Sequence, residues 1–482
     1  MNRFALAAAL AALTPFAPPP QAPADDRPYH DVAVYLEQRF EDTGVPGAAY
    51  AVIELEGETR ARAWGVDGNG DPVDLGTPFL WGSVAKPVTA TAVMTLVEDG
   101  LLDLDEPVAS YLPEFTLADP DRSDRITVRH LLEQTTGIPE GTGVTDRYGH
   151  RDDPYGDAVA DLAGAEPLAD PGEAFEYASA NYLVAGAVVE AVTGMPYEDY
   201  LREAVLDPLG MTGAVATADA AADMPRGHAV AFGQAVPVET RFDRTGPSYG
   251  YLGGTVEDLA AFAADQLRDS AVLAPESLAL MQTGAAEVSD TIDYGLGWRV
   301  DSRNADLGTA TVWHTGGAPG FSAGTILLPD FGRAVVVAQN RYSVFEDDPL
   351  IGTMLGAARI LAGGEAEHPG TGPLYPSLLA VLCALLLAAA LTVVMTVKRI
   401  GRPRSASPAR TVTGAALWTA GAAATAYAAF VVLPGLAPSR AAFFGMALDV
   451  AWLVTAVGAA AVLAAAVRIW AAAVRLRRRP AA

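Results

Sequence analysis

Residues 81–100 read Trp-Gly-Ser-Val-Ala-Lys-Pro-Val-Thr-Ala-Thr-Ala-Val-Met-Thr-Leu-Val-Glu-Asp-Gly. From 84 to 98 the segment is apolar and alanine-rich, and Gly100 stops it, so it predicts one buried helix. Ser83 stands at its head, with Lys86 three residues on. Positions i and i+3 share a helix face, which would set the amine beside the hydroxyl as a nucleophile and its base. Lys86 is the only lysine in the first 373 residues, where the other 20 basic residues are arginine. Arginine serves wherever a cation is enough, but its guanidinium cannot give up a proton. The one amine retained is therefore a candidate for chemistry. An ordinary surface lysine is the competing reading.

Outward from this helix the pattern is mixed. Residues 30–42 carry apolar side chains at 32, 34, 36 and 40 and read as a helix ended by Gly44. Residues 47–55 and 59–66 read as a strand pair across Glu56-Gly57-Glu58. A second apolar helix is predicted at 181–193, stopped by Gly194. Residues 309–314, 322–328 and 333–339 read as strands, the last two joined at Asp330-Phe331-Gly332. Strands at both ends with helices between predict an α+β domain, its sheet closed by the two termini.

Composition sets the frame. Hydrophobic residues make up 51% of the chain and charged residues 19%, which is a folded protein. Residues 374–482 hold 11 Lys+Arg and one acid, Asp449; with the whole at −26, the remainder carries −36. So acidic a part does not bind nucleic acid through phosphate contacts. The single cysteine, Cys383, and six scattered histidines form no disulfide framework or metal-ligand pattern, and no cofactor is called for.

The two ends read as targeting and anchoring segments. Residues 1–24 resemble a secretory signal: Arg3, an apolar run at 4–13, and the small-residue exit Ala22-Pro23-Ala24. Runs at 377–397, 411–433 and 443–467 are nearly free of charge and long enough to span a bilayer. The loop 398–410 and the tail 468–482 carry five basic residues each, whereas 434–442 carries only Arg440. That asymmetry predicts a cytoplasmic first loop and tail, and an acidic domain outside the cell membrane. The expected organisation is thus a signal (1–24), a catalytic domain (25–362), a linker (363–376), three spans (377–467) and a basic cytoplasmic tail (468–482).

Seven ordered segments carry a family resemblance over residues 28–362. They are Trp81 to Lys86, Leu131 to Pro139 (LLEQTTGIP), Phe175 to Tyr182 (FEYASANY), Thr193-Gly194, Asp207 to Met211 (DPLGM), Tyr294 to Trp298 (YGLGW) and His314 to Gly317 (HTGG). Together they resemble the serine β-lactamase and penicillin-binding superfamily, in its class C, D-alanyl-D-alanine carboxypeptidase and esterase branch. The resemblance implies an antiparallel sheet flanked by helices, plus a helical subdomain, with the nucleophile at their junction. It implies catalytic roles for Ser83, Lys86 and Tyr177, and substrate-binding roles for Ser179, His314, Gly316 and Gly317. The backbone N–H groups of Ser83 and Gly317 would form the oxyanion hole.

Two residues depart from the family pattern. Ser179 stands where an asparagine is usual, and His314 where β-lactamases have lysine. A histidine is mostly neutral at pH 7, so binding of an anionic β-lactam should weaken, and acid should partly restore it. The expectation is a membrane-anchored serine hydrolase acting on an ester or amide, with a small molecule or peptide as substrate. The alternative is a catalytically impaired binding or sensor module of the same fold.

Overall fold

The computed structural model describes residues 27–267, 270–366, 372–400, 407–437 and 439–477. The signal expected at 1–24, part of the linker and the end of the basic tail lie outside them.

Ten strands matter here: β1 (Gly47–Glu54), β2 (Arg60–Gly65), β3 (Gly227–Ala231), β4 (Gln234–Val238), β5 (Ala286–Ser289), β6 (Ile292–Tyr294), β7 (Arg299–Asp301), β8 (Thr311–Ala318), β9 (Phe321–Leu328) and β10 (Arg333–Gln339). Eight form one antiparallel sheet in the order β2-β1-β10-β9-β8-β7-β6-β5. Alternation divides their side chains between two cores. Ala49, Ala51 and Ile53 of β1 face a core shared with the helices α2 (Ala85–Glu98), α3 (Ser179–Thr193) and α4 (Val256–Asp265). Ala48, Tyr50 and Val52 face the other, built with α1 (Arg27–Thr43) and α5 (Asp347–Leu361). Each fully buried Val, Leu or Phe contributes roughly 1.5–3 kcal/mol, so both layers hold the sheet. The α+β expectation and the pairing of the terminal strands hold.

Three local readings need correction. Ser83 and Lys86 do not share one α-helix: Gly82–Val84 is a 3-10 turn, and α2 starts at Ala85. Gly82 has φ +56°, a conformation that favours glycine, and it sets this turn off from the short extended piece Phe79–Leu80 before it. Pro87 lies in the first turn of α2, where its missing N–H has no helical partner to lose. The strand expected at 309–314 runs on to Ala318, which brings Gly316 and Gly317 into the sheet. Strands β5, β6 and β7, of four, three and three residues, go beyond the sequence expectation; pieces that short show no clear alternation.

Beyond α5, α6 (Leu374–Lys398), α7 (Pro408–Tyr427, extended by further turns to Leu436) and α9 (Leu448–Arg477) are each long and apolar enough to cross a membrane. The third run is not one span over 443–467. A separate helix, α8 (Arg440–Met446), ends at Ala447, and α9 then continues ten residues further than expected. Arg468, Arg475 and Arg477 consequently ride on α9, since arginine is a good helix former. Helix α9 is central in the bundle: 39% of its most apolar window is buried, against 6% for each of the other two.

Candidate active site

Strand β8 and the 3-10 turn build the site. Strand β8 pairs with β7 only through Thr311, Val312 and Trp313, so its edge from His314 onward has no strand neighbour on that side among the described residues. The Ser83 turn packs there. A Cβ on Gly316 would collide with the Ser83 backbone nitrogen, and one on Gly82 with the Gly317 nitrogen. The glycines therefore admit the close approach that brings the Ser83 and Gly317 backbones together.

Lys86 is fully buried, which rules out the surface reading. Its Nζ donates to Ser83 Oγ at 2.9 Å, to the Tyr249 carbonyl at 2.8 Å and more weakly to Ser179 Oγ at 3.5 Å. It also lies 4.9 Å from the Tyr177 ring centre and 5.8 Å from that of Tyr182. Ser83, Tyr177, Ser179, Gly316 and Gly317 line one cavity of about 320 Å³. The structure thus brings together six of the seven residues singled out, with Lys86 reaching the cavity through Ser83.

The segment 131–139 acts as a buckle. Gln134 Oε1 accepts from the Ala178 backbone N–H at 3.0 Å and from Asn181 Nδ2 at 2.6 Å, and the Thr136 hydroxyl donates to Asn181 Oδ1 at 2.7 Å. These bonds fix the approach to α3, and with it Tyr177 and Ser179. The Ser179 N–H, at the start of α3, donates to Glu140 Oε2 at 2.7 Å. Glu140 opens onto the cleft, yet crowding by protein raises its carboxyl; the Ser179 N–H and Lys86 pull the other way.

His314 is the exception. It is buried, and it lines a neighbouring cavity of about 920 Å³ with Tyr177, Arg299, Trp313 and Thr315. Its Nδ1 donates to the Thr315 carbonyl at 2.7 Å, leaving Nε2 to accept from the Tyr294 hydroxyl at 3.1 Å. Burial, then Lys86, then Arg299 push the imidazole well below its ordinary value, outweighing the Thr315 carbonyl. The expectation that mild acid charges His314 is set aside.

Three arginines line that second cavity, Arg299, Arg303 and Arg359, and Arg299 is the one packed among several aromatic rings. Its guanidinium lies 5.4–5.9 Å from the ring centres of Phe175, Tyr177, Tyr294 and Trp313. It has no carboxylate partner among the described residues. Arg341, which lines neither cavity, is held by Glu346 at 2.8 Å and by the Gly44 carbonyl at 2.7 Å.

Sequence reasoning missed the Tyr249 carbonyl, Glu140 and Asp347. The last lines the Ser83 cavity. Burial raises its carboxyl to about 6, against the hydrogen bond of Tyr342, whose ring packs on Gly317. An acceptor supplied by the backbone leaves no side-chain signature, and the two acids sit outside the recognisable segments.

Known proteins are similar to this chain. The family model described as Beta-lactamase matches residues 32–358. Penicillin-binding protein 4 of Amycolatopsis lactamdurans is 34% identical over 285 residues, 55% of this chain and 73% of that protein. A D-stereospecific amidohydrolase from Streptomyces sp. superposes with a TM-score of 0.55 at 25% identity, over 64% of this chain and 94% of that one. The octameric penicillin-binding protein homologue from Pyrococcus abyssi gives 0.59 at 24% identity, over 72% and 79%, a likeness of fold. With the Ser83–Lys86 pair at the sheet edge and the family model covering residues 32–358, the chain belongs to the Beta-lactamase family.

Proposed function

We propose that the chain is a membrane-anchored serine hydrolase that works through an acyl-enzyme on Ser83, with ester or amide substrates. The observation that carries this reading is the buried Lys86 amine, 2.9 Å from the Ser83 hydroxyl. Ser83 Oγ attacks the substrate carbonyl while its proton passes to Lys86 Nζ. The Ser83 and Gly317 N–H groups hold the developing oxyanion. Tyr177, whose ring covers the Lys86 amine, carries the proton on to the leaving group. Water then releases the acyl group and restores the serine. A substrate carboxylate, where there is one, meets Arg299 across Tyr177 and Thr315, which line both cavities.

The catalytic domain sits on the outer side of the membrane. Support comes from the cationic loop 398–410 and the arginine-bearing end of α9, against a lone Arg440 between the second and third helices. A cytoplasmic signal from a reporter fused at Leu436 would overturn that topology. The hydrolase reading is tested by a fluorophosphonate and a fluorescent penicillin on the full chain, followed by turnover of p-nitrophenyl esters and D-Ala-D-Ala peptides. Labelling and turnover that vanish in Ser83→Ala are expected. Labelling without turnover of any of these substrates would leave a binding module instead.

A further inference from the structure

The Ser83 cavity has a wall that comes from the membrane segment. Met446, the last residue of α8, lines it beside Val344, Leu350, Ile351 and Met354. Helix α8 lies between the second and third apolar helices, more than 100 residues beyond Gly317 in sequence. Several contacts hold it on the catalytic domain. Gly445 rests on Pro319, in the turn that follows β8. The Ser439 hydroxyl reaches the Asp146 carbonyl at 3.4 Å. Asp449, at the head of α9, accepts from the Phe232 backbone N–H at 2.7 Å and from the Tyr375 hydroxyl at 2.5 Å. The Tyr375 ring in turn stacks on Phe345 at 5.8 Å.

Asp449 is the one acid in residues 374–482, and it is buried. A lone carboxylate at the start of an apolar helix is retained where it has partners to hold. Here its partners are the β3–β4 turn of the catalytic domain and the first apolar helix. The contact is therefore a latch that fixes the bundle, and with it Met446, against the cavity.

We propose that Met446 is a specificity-determining residue: it closes the apolar end of the Ser83 cavity and limits the length of the acyl chain that the enzyme accepts, with the Asp449 latch holding it in place. This rests on the acyl-enzyme reading of Ser83. A methionine suits such a wall, since its unbranched thioether fills irregular apolar space.

The test uses the full chain in detergent micelles, with p-nitrophenyl esters from acetate to decanoate. The readout is the decanoate-to-acetate ratio of kcat/KM. Met446→Ala should raise that ratio about tenfold by lengthening the cavity, and Met446→Trp should lower it. Asp449→Asn, which loosens the latch without touching the cavity, should move the ratio in the direction of Met446→Ala. A ratio unchanged in both Met446 variants overturns the proposal while Ser83 still labels with a fluorophosphonate. Loss of labelling in the native chain overturns the acyl-enzyme reading, and this inference with it.

Discussion

The two cavities that meet at Tyr177 and Thr315 offer opposite things. The smaller holds the nucleophile, the backbone donors of Ser83 and Gly317, and three acids, Glu140, Asp146 and Asp347. The larger holds Arg299 in a cage of four aromatic rings, beside a neutral His314. Its other arginines, Arg303 and Arg359, are paired with Asp301 and Asp306. On the proposed reading, bond making and charge recognition are set in adjoining spaces. In a site where one lysine serves both purposes the two could not be altered separately; here they can.

The largest effect should come from the bond-making side. Lys86→Arg keeps a cation but removes an amine able to accept the Ser83 proton. It should cost at least about two decades of acylation rate, the usual worth of a general base. The loss should be the same for neutral esters and for carboxylate-bearing peptides, because both use the same amine. A near-native rate in stopped-flow acylation would remove Lys86 from the proton path. A loss confined to anionic substrates would make it a charge-recognition group and erase the contrast between the cavities.

Arg299→Ala probes the other side. A charge-assisted bond to a carboxylate is worth roughly 1.5–3 kcal/mol, so kcat/KM for D-Ala-D-Ala peptides and penicillins should fall by about one to two decades. Neutral p-nitrophenyl esters should change by less than about threefold. His314→Lys sharpens the point. Were His314 the carboxylate site, a lysine there would raise β-lactam acylation over ester hydrolysis. With Arg299 in that role, the added cation crowds Arg299 and Lys86 and the ratio should not rise. A rise would return carboxylate recognition to strand β8.

Much of this was legible in the chain, and what was not shares a cause. The Ser83–Lys86 spacing survives as a hydrogen bond even though the pair straddles a 3-10 turn and an α-helix, since both bring residues three positions apart onto one side. Gly316 and Gly317 were readable through the segment that carries the family resemblance; the structure adds the reason, the Ser83 backbone against Gly316 and the Tyr342 ring against Gly317. The charge state of His314 was not readable, because it is set by burial and by Lys86 and Arg299, which the fold brings to it. Nor was the break at Ala447, which falls inside an apolar run whose composition suits a span and a packed helix alike. Residues that act through a backbone atom, as Tyr249 does, or through a contact across hundreds of positions, as Met446 does, leave no local pattern to find.

The smallest effect concerns pH and the acids of the nucleophile's cavity. Burial raises Asp347 from 3.8 to about 6, so its carboxyl is neutral in the folded protein below that value and negative above it. The cavity therefore gains a negative charge as pH rises through about 6. A carboxylate-bearing substrate feels that charge and a neutral ester does not. The ratio of peptide to ester kcat/KM should fall several-fold between about pH 5 and pH 7, and Asp347→Asn should flatten the profile. Stability carries the same sign. The folded carboxyl holds its proton more tightly than the unfolded one, so the native state is favoured at the acid end and loses that advantage as pH rises from 3.8 to about 6. Urea unfolding across this window should show the native chain losing more stability with rising pH than the Asp347→Asn variant does. A peptide-to-ester ratio that rises with pH, or a profile that Asp347→Asn leaves intact, would mean that the acids of this cavity do not sense the substrate's charge, and that Arg299 alone sets the discrimination.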